Sequence, residues 1–190
     1  WGFQGVRLGG FTMASVYVFL ADGFEEIEAL TVVDLLRRAK VNVTTVSITE
    51  NILVHGAHGI DVMADILFRD NLSEFDMLVL PGGGPGTRSL LAHEGLKDLL
   101  KDYEKKGRYL AAICAAPSVL GMHGILKGKR AICYPGFEDK LLDAIVTNNK
   151  VVVDGKIITS KGPGTSIEFS LELIKILCGE EAAKQILDGI

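Results

Sequence analysis

Apolar residues fall in short unbroken runs that alternate with stretches of helical spacing. Val16–Leu20, Phe75–Leu80 and Tyr109–Ile113 are nearly continuous apolar runs, as expected of strands covered on both faces in a parallel sheet. Val41–Ile48 adds the alternation and β-branched content of another strand. Between them, Ile27, Leu30, Val33 and Leu36 predict a helix over Glu25–Ala39, with Val32 and Leu35 widening its buried stripe. Asp22, three residues before Glu25, predicts a capping box at its start. Leu90–Lys105 predicts one amphipathic helix that stops at Lys105-Lys106-Gly107.

Further along, Leu53–Val62 predicts two short extended pieces around a Gly-containing connection. Val151–Ile158 predicts a hairpin turning at Asp154-Gly155. A final major helix follows from the buried stripe Ile167, Leu171, Ile174 and Leu177, with Thr165 and Glu168 as its capping box. Alternating strands and helices make an α/β layer fold with helices on both faces of a mainly parallel sheet, joined by right-handed crossovers. Active residues in such folds gather beyond the carboxyl ends of the strands. Asp22, the glycine loop after Leu80 and Cys114 all fall there.

With 190 residues, 48% of them apolar, the chain can bury one core, and no linker divides it. Residues 1–12 are Gly-rich and aperiodic and precede Met13. They are expected to be an expression leader before a single domain over 13–190, a genuine mobile extension being the alternative. A net charge of −4 argues against nucleic acid or acidic membranes as general partners. No apolar run is long enough to cross a bilayer. Three cysteines without paired metal-ligand spacing point to a reducing compartment and hence the cytoplasm. His55 and His58 stand three apart without convincing metal-ligand partners, so neither a metal nor another cofactor is expected.

Candidate chemistry centres on Leu110-Ala-Ala-Ile-Cys-Ala-Ala-Pro-Ser118. A strand ends at Cys114 and a helix can begin at Pro117, so the cysteine is expected at a sharp junction. Helix-start N–H groups favour an anion, and a thiol there should ionise more readily than a free one. The alternative is a buried structural cysteine. Cys133 lies in an irregular connection where it can be exposed, and Cys178, at the end of the last major helix, reads as a packing residue. Glu28 shares a helix face with Val32 and Leu35. It is either a half-buried carboxylate of raised pKa or a surface acid, and spacing leaves both open. Pro81-Gly-Gly-Gly-Pro-Gly86 can present backbone N–H groups to an oxyanion or simply turn the chain. It lacks both the P-loop ending and the dinucleotide GxGxxG pattern.

Ala21-Asp-Gly-Phe-Glu-Glu-Ile-Glu28, Leu80-Pro-Gly-Gly-Gly84, Ala111-Ala-Ile-Cys-Ala-Ala-Pro117 and Thr159-Ser-Lys-Gly-Pro-Gly-Thr-Ser166, in this order, resemble the ThiJ/PfpI superfamily, particularly its branch containing Parkinson disease protein seven. The resemblance implies a flavodoxin-like three-layer sandwich with a mainly parallel central sheet, and a two-fold homodimer involving the first helix. It implies Cys114 as reactive cysteine, Glu28 as the glutamate beside it, and Gly83 and Ala115 as the backbone N–H positions around the substrate oxygen or an oxidised sulfur. Gly82 and Tyr134 are auxiliary candidates. Where several members carry His-Pro after the nucleophile helix, this chain has Tyr134-Pro135. Tyrosine is a poor base at neutral pH, which weakens a cysteine–histidine protease reading unless His58, His93 or His123 approaches from elsewhere. His123 reads more simply as a residue near the exposed end of that helix.

The implied function is cofactor-independent conversion of methylglyoxal-type α-oxoaldehydes to hydroxy acids through a Cys114 hemithioacetal, with small reactive aldehydes or glycated adducts as partners. An oxidative-stress sensor or redox-regulated chaperone acting through Cys114 oxidation, and a cysteine amidohydrolase or protease, are the alternatives.

Overall fold

The computed structural model describes residues 13–190; the expected leader lies outside them. In chain order the elements are β1 (Ser15–Leu20), α1 (Glu26–Arg38), β2 (Asn42–Ser47), β3 (Leu53–His55), β4 (Asp61–Met63), β5 (Ile66–Leu67), β6 (Met77–Leu80), α2 (Gly84–Ala92), α3 (Glu94–Lys105), β7 (Tyr109–Ile113), α4 (Pro117–Met122), β8 (Arg130–Ala131), β9 (Ile145–Val146), β10 (Val151–Asp154), β11 (Ile157–Ser160), α5 (Ser166–Cys178) and α6 (Glu180–Asp188).

Seven strands form the central sheet in the order β10-β11-β7-β6-β1-β2-β5. Every pairing in it is parallel except β10 with β11. Side chains alternate across a strand, and β1 divides the core accordingly. Val16, Val18 and Leu20 join Val32 and Leu36 of α1 and Phe169 and Leu173 of α5. Tyr17 and Phe19 join Leu90, Leu96, Leu100 and Val119 from α2, α3 and α4 on the opposite face. The result is the three-layer, flavodoxin-like α/β sandwich, and the unbroken apolar strands are those covered on both sides. The expected hairpin is present as β10–β11, and the two short extended pieces expected over Leu53–Val62 pair antiparallel as β3 and β4.

Several local expectations are corrected. The helix expected over Leu90–Lys105 is two helices, broken where His93 takes an extended backbone and its Nδ1 accepts the Leu96 N–H at 3.0 Å. The ring is also held edge-on to Phe68, with centroids 4.5 Å apart. The first of these helices starts inside the glycine loop, at Gly84.

On α1, Ile27 and Leu30 are exposed, while Ala29, Val32, Val33, Leu35 and Leu36 meet the core. The helix is rotated so that Glu28, not Ile27, turns inward. Asp22 does not cap it: Gly23, at φ +83°, turns the chain away, and Asp22 Oδ1 accepts the His55 N–H at 2.9 Å instead. Glu25 occupies the cap and receives the Ile27 N–H.

The second capping box is also absent. Thr165 Oγ1 accepts the Gly162 N–H at 3.1 Å, and Glu168 reaches Lys150. On α5, Phe169, Ser170, Leu173 and Ile174 face inward, Ile167 is exposed, and Leu171 and Leu177 are half-buried because α6 packs alongside. The two minor cysteines exchange roles. Cys133 is buried, in a segment drawn onto the sheet by the Ile132 N–H bond to Thr159 Oγ1 at 3.0 Å. Cys178, at the last turn of α5, is exposed.

Candidate functional site

Cys114 leaves β7 with φ +66°, a left-handed conformation that non-glycine residues adopt uncommonly. The sheet holds it there. Its N–H donates to the Ser160 carbonyl at 3.0 Å, and its carbonyl accepts the Tyr134 N–H at 2.8 Å. The sharp junction expected between strand and helix is therefore present, with the residue 9% exposed. The backbone N–H groups of Ala115 and Gly83 act on its sulfur, pulling its pKa down.

The glycine loop brings the second of these donors. Glu25 N–H donates to the Gly82 carbonyl and Gly86 N–H to that of Gly23, so the loop lies against the β1–α1 turn. Gly83 has φ +93°, and a β-carbon there would collide with the Gly23 carbonyl oxygen. A β-carbon at Gly82 would stand 2.6 Å from Glu28 Oε2 and 2.7 Å from Cys114 Cβ. Those two side chains close on the same point of the loop.

Glu28 is fully buried. Its Oε2 accepts the Gly82 N–H at 2.7 Å, while Oε1 has no hydrogen-bond partner among the described residues. Burial pushes its carboxyl up to about 7, against the opposing pull of the neighbouring Cys114 and of the Gly82 N–H. The sequence spacing that left Glu28 open between core and surface is resolved toward the core.

The expectation of an acidified thiol is corrected. Burial and the neighbouring Glu28 charge push Cys114 up, outweighing the Ala115 and Gly83 N–H groups. Thiol and carboxyl titrate as a unit, because two adjacent buried negative charges repel. The pair sheds its first proton near pH 7 and above that holds one negative charge, with one proton between sulfur and carboxyl.

Tyr134 contributes its backbone to this centre. Its side chain is exposed and covers Gly162, where a β-carbon would stand 3.0 Å from ring Cδ2. No histidine is among the hydrogen-bonding or charged neighbours of Cys114. His55 pairs with Asp61, and His93 caps α3. Half-buried His123 ends α4, its buried Nε2 without a partner among the described residues.

His58 Nδ1 lies 2.9 Å from Glu26 Oε2 and 3.5 Å from Glu25 Oε2. Ligand-capable atoms of these three residues fall within 4.8 Å of one another, a spacing able to hold a metal ion. The spacing of His55 and His58 gives no sign of it, because the acids come from the cap and first residue of α1, 32 positions from His58 in the case of Glu26. Ser160, which fixes the Cys114 backbone, was likewise not singled out by its chemistry. Its only signal is its place in the Thr159–Ser166 motif.

The sequence profile of the DJ-1/PfpI family matches residues 14–176. Protein DJ-1 homologs B and A of Arabidopsis thaliana are each 42% identical to the chain over 90% of its length. The chain spans 40% and 45% of those relatives, less than half of either. The glutathione-independent glyoxalase DJR-1.2 of Caenorhabditis elegans is 36% identical over 86% of this chain and 88% of the relative. The solved structure of oxidised Toxoplasma gondii DJ-1 matches with a TM-score of 0.89 and 38% identity over 93% of this chain and 97% of that one.

Proposed function

The chain belongs to the DJ-1/PfpI family, and from that premise we propose that it is a cofactor-independent glyoxalase- or deglycase-like enzyme acting on methylglyoxal-type α-oxoaldehydes or their adducts. The observation that carries this reading is the fully buried Glu28 carboxyl, whose Oε2 and the Cys114 β-carbon both crowd Gly82 and whose Oε1 has no hydrogen-bond partner among the described residues. Kinship to a relative named a glutathione-independent glyoxalase supports it.

In the proposed reaction Glu28 takes the thiol proton as Cys114 sulfur bonds to the aldehyde carbon and returns it to the resulting oxyanion, giving a neutral hemithioacetal and a free carboxylate. The Gly83 and Ala115 N–H groups stabilise developing negative charge. Glu28 then removes the proton from the former aldehyde carbon and delivers it to the adjacent carbonyl carbon, while the hydroxyl proton passes to the neighbouring oxygen, leaving a 2-hydroxyacyl thioester. Water cleaves the thioester, restores the thiol and releases the hydroxy acid. One aldehyde and one water thus give one acid without net oxidation. Methylglyoxal loss with matching lactate formation, abolished in Cys114→Ser, is the test; a fully active Cys114→Ser protein would refute covalent catalysis at this residue.

A second reading, oxidative-stress sensing or redox-regulated chaperoning through Cys114, draws support from the same cradle, since two N–H donors and a protonated Glu28 suit a sulfinate. The similarity to a structure described as oxidised favours it. Graded peroxide followed by mass spectrometry tests it: Cys114 should oxidise before Cys133, and the reverse order rejects it. An amidohydrolase or protease is disfavoured by the lack of a histidine beside the sulfur.

The proposal includes a homodimer. Exposed Ile27 and Ile60 line one cleft beside His58, and Leu30 extends the apolar surface along α1, the helix that the family resemblance assigns to the two-fold contact. A cytoplasmic location rests on the three unpaired cysteines. No helix among the described residues is long and apolar enough to cross a membrane.

A further inference from the structure

The connection between β3 and β4 is laid over the start of α1. Gly23 N–H donates to the His55 carbonyl at 2.7 Å, and Ala57 N–H to that of Phe24 at 2.9 Å, so residues 56–60 are tied to the turn before the helix. The loop closes tightly around one carboxylate. A β-carbon at Gly56 would collide with Glu26 Oε1, and the same oxygen accepts the His58 N–H at 2.6 Å. Glu26 is left 5% exposed, with its second oxygen turned toward the His58 ring.

Three metal-ligating side chains meet there. Glu25, Glu26 and His58 all line one cleft of about 250 Å³, with Ile27 and Ile60 as its apolar walls. His58 Nδ1 stands 2.9 Å from Glu26 Oε2 and 3.5 Å from Glu25 Oε2, and ligand atoms of the two carboxylates lie within 4.8 Å of each other. Bonds of about 2.0–2.2 Å set the ligand atoms of a tetrahedral ion about 3.4 Å apart, so both distances to the imidazole match one to within about half an ångström. The charges point the same way. Among the described residues neither carboxylate has a lysine or arginine within ion-pair distance, and His58 is the cationic partner of both. Two carboxylates, one nearly buried, therefore outnumber their counter-charge even with the ring protonated. A divalent ion beside a neutral imidazole would balance them.

We propose that Glu25, Glu26 and His58 form a binding site for a divalent transition-metal ion, with zinc as the fitting case, that pins the β3–β4 connection to the start of α1. An imidazole with two carboxylates suits zinc better than calcium or magnesium, which favour oxygen ligands alone. The three side chains leave the fourth position of a tetrahedral ion to water. Cys114 is not among the ligands, and the site does not rest on the glyoxalase reading.

Zinc chloride titrated into the full chain against a chelating dye, with amide NMR on the same samples, tests the site without turnover. One equivalent should shift Glu26, His58 and Gly59 saturably. His58→Ala and Glu25→Gln should each weaken that binding at least about a hundredfold, the upper end of what loss of a merely supporting group costs. Both should keep the wild-type far-ultraviolet spectrum, since His58 is exposed and glutamine retains the oxygen that caps α1. Zinc should raise the Tm of the wild type and not that of His58→Ala. Cys114→Ser should bind zinc as the wild type does, and calcium should not compete. Absence of a saturable shift, equal affinity or an equal rise in Tm in His58→Ala, or displacement of zinc by equimolar calcium overturns the proposal. Loss of binding in Cys114→Ser overturns it too, by placing the ion on the reactive sulfur. Zinc binding that depends on Glu25 and His58 in a protein turning over no aldehyde would leave the metal site standing and remove the glyoxalase reading.

Discussion

Gly82 donates its N–H to Glu28 Oε2 at 2.7 Å across 54 positions of sequence, and that bond sets the carboxyl beside Cys114. Glu28 comes from the third residue of α1 and Gly82 from the loop after β6, and the parallel pairing of β1 with β6 brings their ends together. The acid is held by the sheet rather than by its own helix.

Gly82→Ala is therefore expected to damage activity more than fold. The added methyl would stand 2.6 Å from Glu28 Oε2, 2.7 Å from Cys114 Cβ and 3.0 Å from the Ile113 carbonyl oxygen. Overpacking of this kind costs about 1–3 kcal/mol, visible as a lower Tm. Displacing the carboxyl by about 1 Å should reduce kcat/KM about a hundredfold. Thermal denaturation alongside methylglyoxal turnover separates the two effects. A variant with a lowered Tm and unimpaired turnover would show that the position of Glu28 is not critical.

The architecture was legible because unbroken runs such as Val16–Leu20 report burial on both faces, something local pattern records well. Side-chain direction on helices was less so. Ile27 and Leu30 fit the helical period, yet the helix turns Glu28 inward and leaves them exposed, because a contact with Gly82 outside the helix fixes its rotation. Cys114 was legible from its small neighbours and the strand before it. Its protonation was not, since its pKa is raised first by burial in the folded chain and then by the charge of Glu28, which α1 brings beside it. His93 shows the same limit: a ring bond to Leu96 N–H breaks a helix that the apolar spacing runs through.

The division of labour at the site predicts three different outcomes. Cys114→Ser should lose methylglyoxal turnover to the uncatalysed rate, since the attacking sulfur is gone. Glu28→Gln keeps the shape but cannot carry the proton, and should lose about 10²–10⁴ in kcat. Tyr134→Phe should retain turnover, because the site uses the Tyr134 N–H and the phenol side chain is exposed. Lactate formation measured on all three distinguishes them. Loss in Tyr134→Phe as deep as in Glu28→Gln would move the proton-transfer role to the phenol.

The apolar surface formed by Ile27, Leu30 and Ile60 should be covered by a second copy of the chain. Ile27→Glu introduces a charge on that surface without touching the buried side of α1, so it should weaken self-association at least about tenfold while leaving the far-ultraviolet spectrum unchanged. Sedimentation at several concentrations reads this directly. A wild type that sediments as a monomer at all of them removes the homodimer from the proposal.

The Glu28 carboxyl also makes a signed prediction for pH. Its folded-state pKa of about 7 stands above the ordinary carboxyl value of 4.5, so the folded protein holds this proton more tightly than the unfolded chain. Stability from protonated Glu28 is fully present below about pH 4.5 and is lost as pH rises through about 7. The difference is about 3 kcal/mol, at 1.36 kcal/mol per pKa unit. Glu28→Gln cannot ionise there, so urea melts of the two proteins should show wild type losing ground to the variant between pH 4.5 and 7. Activity should move the opposite way. The thiol–carboxyl pair needs its one negative charge before attack, so wild-type kcat/KM should rise through an apparent pKa near 7 and then level. Parallel stability curves for wild type and Glu28→Gln across that range would mean that burial does not raise this carboxyl, and the proton shuttle would lose its physical basis.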